Sequence, residues 1–160
     1  MKDVKGTFGG RLRTRVCGIC IENNSILLIN HKGIGESGEL WAPPGGEINF
    51  GETIEEALKR EFLEETNLSI EVRKFMAINE FFNAPFHAIE LFYLVHRIDG
   101  ALKLGSDPEL SAQNQLINDV RFVTFEELNE LPNQKKHNLL HKELSTSSLL
   151  NMKGYFKLWQ

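Results

Sequence analysis

Apolar positions recur along the chain in two rhythms, one helical and one extended, and each predicts its own elements. Stepping about 100° per residue from Ile54, the residues Ala57, Leu58 and Phe62 fall in one sector, so this stretch is a helix with one core-facing stripe. Thr53 followed three residues later by Glu56 is a capping box, which starts the helix at Thr53. Asn67 accepts left-handed backbone and ends it. The runs Arg13 to Ile21 and Ser25 to Asn30 read as strands joined by the turn Glu22-Asn23-Asn24. Ile70 to Ile78 predicts another strand. Ala88 to His96 is almost continuously apolar, as in a strand covered on both faces, and Glu90 interrupts it. Val120 to Thr124 is a short strand, followed by a short helix from Phe125 to Leu131 that Pro132 stops. Strands on both sides of a central helix, with helices at the end, make an α/β sandwich around a mixed sheet.

The remaining stretches predict loops. His31 to Leu40, with Gly33, Gly35, Ser37 and Gly38, is a flexible segment that serves either as a substrate lid or as a plain connection. Asp99-Gly100 is a turn, and Leu104 to Asp119 is a longer polar loop carrying Asp107, Pro108 and Glu109. Phe81, Phe82 and Phe86 crowd around Asn83-Ala84-Pro85, where hydrophobic packing competes with stacking on a nucleobase. His137 and His141 lie four apart on a C-terminal helix. Without a glutamate directly after the first histidine they do not match a zinc-protease motif, and they read as surface residues. The tail Tyr155 to Trp159 alternates loosely and packs on the core or on a second subunit of a homodimer.

Composition narrows the class. At 160 residues, 41% hydrophobic and 25% charged, residues 1–160 form a single soluble domain with room for a core. The net charge of −4 excludes an overall basic field for a nucleic acid polymer. The absence of an 18-residue apolar run and of a signal-like start argues for the cytoplasm and against a membrane. The N-terminal arm is locally basic, with Lys2, Lys5, Arg11, Arg13 and Arg15 against Asp3, and reads as a solvated tail leading into a basic strand edge. Cys17 and Cys20 form a C-x-x-C inside a strand, where residues three apart face opposite sides, so core packing is the better reading than a redox or zinc pair.

The central helix carries the chemistry. On the same wheel Glu61 and Glu65 fall inside the apolar stripe and Glu64 at its edge, whereas Glu55, Glu56 and Lys59 point away. A solvated acidic face accounts for Glu64 alone. It does not account for two carboxylates on a core-facing stripe, which need a positive partner. A hard divalent cation such as Mg²⁺ supplies one, with backbone carbonyls of Gly45 and Gly46 available from the preceding loop.

Gly46, Glu52, Arg60, Glu61, Phe62, Glu64, Glu65, Asn67 and Leu68 stand in the pattern G-x5-E-x7-R-E-U-x-E-E-x-G-U, where U is bulky and apolar. The stretch resembles the signature of the Nudix hydrolases, and Trp41-Ala42-Pro43-Pro44 before it fits the same family. Two positions depart: Asn67 replaces the last glycine, and Asn49 stands where many members carry a glutamate that supports the outer metal shell. The resemblance implies a Nudix-like α/β/α sandwich around a mixed β-sheet. It also implies Mg²⁺- or Mn²⁺-dependent hydrolysis of a diphosphate in a nucleoside diphosphate derivative. By the same resemblance Glu61, Glu64, Glu65 and the Gly45 carbonyl are the metal ligands. Arg60 orients a carboxylate, either Glu52, as the family suggests, or Glu56, as the i,i+4 spacing suggests. The general base, by the same resemblance, is a carboxylate from a downstream loop or one of the motif glutamates; Glu109 stands ahead of Glu90 and Glu80, giving a catalytic set of Arg60, Glu61, Glu64 and Glu109. ADP-ribose, a nucleotide sugar, a nucleoside triphosphate and a dinucleoside polyphosphate all present the same diphosphate. A non-catalytic nucleotide-binding or sensor module on this fold is the competing class, and the intact set of charged residues favours the enzyme. An isomerase would require a further catalytic Cys or Glu that the pattern does not supply.

Overall fold

A computed structural model describes residues 4–160; Lys2 and Asp3 of the basic arm lie outside the described residues. A short helix α1 (Val4–Phe8) precedes the strands β1 (Leu12–Glu22), β2 (Ser25–Lys32), β3 (Glu39–Ala42) and β4 (Gly45–Glu47). The central helix α2 (Ile54–Thr66) follows. Then come β5 (Ser69–Asn83), β6 (Phe86–Asp99), β7 (Ile117–Thr124), α3 (Phe125–Glu130), α4 (Thr146–Leu150) and β8 (Gly154–Trp159). The strands form one mixed sheet in the order β3-β2-β1-β6-β5-β8, with β4 paired to β1 and β7 to β2. The β1–β6 and β5–β8 pairs are parallel and the others antiparallel.

Period-two alternation divides the core into two layers. Val16, Cys20, Leu27, Ile29 and Val95 pack with Ala57, Leu58 and Phe62 of α2. Cys17, Ile19, Ile26, Leu28, Phe92 and Leu94 face the other way, onto Phe125, Leu128, Leu139 and Leu149 of the C-terminal region. Helices therefore cover both faces of the sheet, as a three-layer sandwich requires. Cys17 and Cys20 are buried free thiols in opposite layers, so packing accounts for the C-x-x-C.

The β1–β2 turn places Asn23 and Asn24 at φ 46° and 57°, the left-handed pair of a tight hairpin. Helix α2 keeps both predicted ends: Thr53 and Glu56 complete the capping box, and Asn67 closes the helix at φ 61°. Among the described residues no helix is long and apolar enough to cross a membrane.

Several expectations need correction. β5 runs on to Asn83, so Phe81 and Phe82 belong to a strand, and Phe82 stacks on Trp159 with ring centroids 4.7 Å apart. The tail is the edge strand β8 along β5. His31 and Lys32 close β2, and Glu39 and Leu40 open β3, which confines the glycine-rich connection to residues 33–38. His137 and His141 flank a single 3-10 turn, Asn138–Leu140, instead of riding on a helix. Pro132, the next turn at Asn133–Lys135 and the isolated bridge from Lys136 to Trp41 hold this segment extended between turns.

Candidate active site

The last two turns of α2 lie against β4. The Gly45 N–H donates to Glu65 Oε2 at 2.9 Å. The Glu61 carboxylate rests directly on Gly46, where a Cβ would stand 2.2 Å from a carboxylate oxygen, so only glycine admits this approach. Arg60 ties the array together. Its Nε and Nη2 donate to the two oxygens of Glu52 at 2.7 and 3.0 Å, Nη2 also reaches the Glu47 carbonyl, and Nη1 contacts Glu61 at 2.7 Å and Glu64 at 3.2 Å. Of the two partners weighed for Arg60, Glu52 takes the fork, because Glu56 is engaged in capping at Thr53.

The C-terminal carbonyls of α2 are satisfied from outside. Lys103, Gly105 and Ser106 donate backbone N–H groups to the carbonyls of Thr66, Glu65 and Glu64 at 3.0, 2.9 and 3.2 Å. This anchor brings the loop carrying Asp107 and Glu109 to the rim of the cavity that Glu61, Glu64 and Glu65 line. Glu109 is exposed. Its carboxyl is raised above the ordinary value, first by desolvation where the side chain meets the cavity wall and then by Asp107 and Glu47, against Arg13 and Arg60.

Burial pushes Glu61 up to about 6, although Arg60 and Arg15 oppose the shift. Glu65 is driven well above the carboxylate range by burial and by the neighbouring Glu61, against the Gly45 N–H. Among the described residues no three His, Cys, Asp or Glu side chains converge as a preassembled metal cage. The donors nonetheless suit a hard ion. Mg²⁺ is commonly held by one or two carboxylates plus waters and substrate phosphates. Here two buried carboxylates without a full complement of cations stand against β4, with Glu64 half-buried at the edge, while the Gly45 carbonyl accepts from Arg15 Nη2 at 3.1 Å.

A second buried carboxylate group lies across the same cavity, of about 890 Å³. Arg15 of β1 is in register with Glu90 of β6, and Glu90 with Asn79 of β5. Glu90 Oε1 accepts from Arg15 Nη1, and Oε2 accepts from Asn79 Nδ2 and His137 Nε2, each at 2.8 Å. Burial alone pushes Glu90 up, but His137, Arg15 and Asn79 overcome it and hold the carboxyl well below its usual range. His137 is therefore no surface residue: it is buried, and its Nδ1 accepts the Leu139 N–H at 3.2 Å. His141 is half-buried and faces the Lys136 carbonyl at 3.1 Å.

Of the other candidates, Glu80 pairs with His87 and Tyr155 and is not part of the cavity wall. Phe81 and Phe86 line the cavity. In the sequence Arg15 stands out only as part of a basic strand edge. The signal that was available is period two: Arg13, Arg15, Cys17 and Ile19 share one strand face, charged at one end and apolar at the other. No local signal marks His137, whose partner Glu90 lies far away in sequence.

The NUDIX domain matches residues 11–145. An ADP-ribose pyrophosphatase of Methanocaldococcus jannaschii is 37% identical over 97 residues, 58% of this chain and 55% of that protein, so the match spans about half of that relative's length. The nucleoside triphosphatase NudI of an Enterobacter species is 33% identical over 129 residues, 76% of this chain and 88% of that protein. A MutT NUDIX hydrolase from Burkholderia pseudomallei shares the fold, with a TM-score of 0.66 at 20% identity over 84% of this chain and 98% of that one.

Proposed function

The chain belongs to the Nudix hydrolase family, and from this premise we propose that it hydrolyses a diphosphate linkage in a nucleoside diphosphate derivative with Mg²⁺ or Mn²⁺. Residues 1–160 act as one catalytic domain in this reading. The observation that carries it is the pair of buried carboxylates, Glu61 and Glu65, pressed on the backbone of β4. Unbalanced negative charge of this kind is costly to a fold and finds its use at a cation site. Glu61, Glu64 and Glu65 would hold the ion; the Gly45 carbonyl, the further ligand that the resemblance implies, is taken by Arg15 Nη2 at 3.1 Å. Bound there, a divalent cation offsets the charge of the diphosphate and makes a water easier to deprotonate.

The chain's own residues do the rest. Arg60 locks Glu52, Glu61 and Glu64 into one array, so the carboxylates need not reorganise when substrate arrives. Glu109 takes the proton from the attacking water. Its raised pKa moves it toward the range where a carboxylate is an effective base, and its place on the anchored loop sets it at the cavity rim. Glu90 is the weaker base, because three donors already engage it and hold its proton affinity low.

The named relatives act on ADP-ribose and on nucleoside triphosphates, and these two classes, with a nucleotide sugar as a third, are the substrates to compare. A release assay for phosphate and nucleoside monophosphate across the three, with Mg²⁺ and then with excess EDTA, tests the reading. We expect turnover of at least one compound and its loss on chelation. Undiminished turnover in EDTA would refute the metal assignment, and no turnover of any diphosphate would favour a binding module.

A further inference from the structure

A cavity that is to receive a polyanion among Glu61, Glu64, Glu65 and Glu109 needs a cation of the protein's own with free donors. Most of those available are committed elsewhere. Arg60 is taken up by Glu52, Glu61 and Glu64, Arg13 leans on Glu47 and on the Phe8 ring, and the Lys136 ammonium donates to the Leu128 carbonyl at 2.8 Å. Arg15 is different. Its Nη1 holds Glu90 at 2.8 Å and its Nη2 holds the Gly45 carbonyl at 3.1 Å, while its Nε is buried without a partner. The remaining donors belong to a side chain that is 26% exposed and lines the cavity.

The fixing of Arg15 is elaborate for a half-buried strand residue. Glu90 is held on one side by Arg15 and on the other by Asn79 and His137. Asn79 is itself pinned by reciprocal amide bonds with Asn138, at 2.6 and 3.1 Å. Because His137 Nδ1 accepts the Leu139 N–H, the ring proton sits on Nε2 and points at Glu90. The His137 N–H is tied in turn to the Trp41 carbonyl at 2.8 Å, so the ring cannot drift from this direction.

We propose that Arg15 binds a substrate phosphate, and that Glu90 and His137 are positioning residues that hold its guanidinium between β4 and the 137–140 turn. The proposal rests on the diphosphate reading above. A planar guanidinium fixed at two points presents its other N–H groups in one orientation, which suits the tetrahedral oxygens of a phosphate and is lost with a lysine. Holding the fork before substrate arrives lowers the ordering cost of binding. His137 never touches substrate in this scheme. It acts through Glu90, and the 137–140 turn is thereby coupled to the phosphate site.

The test uses the full chain and two probes. EDTA-treated protein is titrated with α,β-methylene-ADP, a non-hydrolysable diphosphate, by calorimetry, and Mg²⁺-loaded protein is assayed with ADP-ribose and with a nucleoside triphosphate. Arg15→Lys keeps the charge but cannot grip both Glu90 and the Gly45 carbonyl. It should weaken analogue binding about tenfold and raise KM by more than it lowers kcat. His137→Asn should weaken binding about threefold in the parent and by less than about 1.5-fold in the Arg15→Lys background, since the two act as one unit. Thermal melts confirm that each variant is folded. Arg15→Lys with KM and analogue affinity within twofold of the parent overturns the assignment and leaves the proposed function standing. An equal effect of His137→Asn in both backgrounds overturns the positioning role. A parent that neither binds the analogue nor turns over either nucleotide overturns both readings.

Discussion

Glu65 and Glu90 are both buried carboxylates lining one cavity, yet their surroundings drive their protons in opposite directions. Glu90 sits in a row of strands where Arg15, Asn79 and His137 all donate to it, and it is held ionised. Glu65 receives one backbone N–H, stands next to Glu61, and is pushed toward its neutral form. Depth of burial does not separate them, at 5% and 3% exposure. What separates them is how many donors the fold supplies. The carboxylate with a full complement holds Arg15 in place, whereas the under-supplied pair carries charge that the fold does not offset, which is why the cation is proposed there.

The largest effect expected from this contrast is on turnover. Glu65→Gln keeps the shape and can still accept the Gly45 N–H, but removes the charge. Steady-state rates should fall by a factor on the order of 10²–10⁴, comparable to loss of a catalytic proton-transfer group. Metal-free thermal melts should show the variant as stable as the parent, or more stable by about 1 kcal/mol. Intact turnover with a strongly destabilised metal-free variant would make Glu65 a structural residue and dissolve the comparison.

Glu90→Gln should behave in the reverse manner. Its amide would place a donor among the donors of Arg15, Asn79 and His137, so urea unfolding should show a loss of about 3 kcal/mol or more, the order for breaking a buried ion pair. A variant as stable as its parent would show that the row of donors contributes little.

The pH dependence of metal-free stability sharpens the same contrast. Between the ordinary carboxylate value of about 4.5 and about 6, folded Glu61 keeps a proton that the unfolded chain has released. Stability therefore falls as pH rises through this window, by about 2 kcal/mol for a shift of this size. Glu90 has the opposite sign: its depressed pKa contributes stability above the ordinary carboxylate value, and this is lost as the pH drops below it. Urea midpoints measured from pH 4 to 8 in EDTA should show the alkaline-side decline, and Glu61→Gln should reduce it, leaving the part due to Glu65, whose carboxyl is raised in the same direction. An unchanged slope in that variant would place the titration elsewhere.

The smallest effect concerns the family departure at Asn67. Glycine takes the left-handed φ of 61° as readily, but it removes the bond from Asn67 Nδ2 to the Ala101 carbonyl at 2.9 Å. Asn67→Gly should cost at most about 1 kcal/mol in a thermal melt, with turnover within twofold of the parent. A tenfold change in rate would give the Asn67 side chain a functional role.

Helix α2 and its carboxylates were legible in the sequence because every determinant is local: a capping box three residues wide, a stripe repeating each turn, and an asparagine fit for a left-handed close. Glu90 announced itself as a charge in an apolar strand. Arg15, Asn79 and His137 did not, because what joins them is strand register and the path of a turn, with partners up to 75 residues apart. The histidines looked like a surface pair for the same reason. The tail alternates too loosely to settle between packing on the core and on a second subunit, and pairing with β5 is what makes it the strand β8.

The anchor of the 103–106 loop on α2 bears on how such a site diversifies. All three of its bonds run from backbone to backbone, so the attachment does not depend on which side chains the loop carries. Gly105 is the exception, since a Cβ there would stand 1.9 Å from the Glu64 carbonyl oxygen. Anchor and tip are therefore separable. Residues 107 and 108 can be exchanged while the loop remains docked against the helix that carries the carboxylates and keeps Glu109 at the rim. Substrate preference can then be grafted or evolved at the rim without renegotiating the fold beneath it.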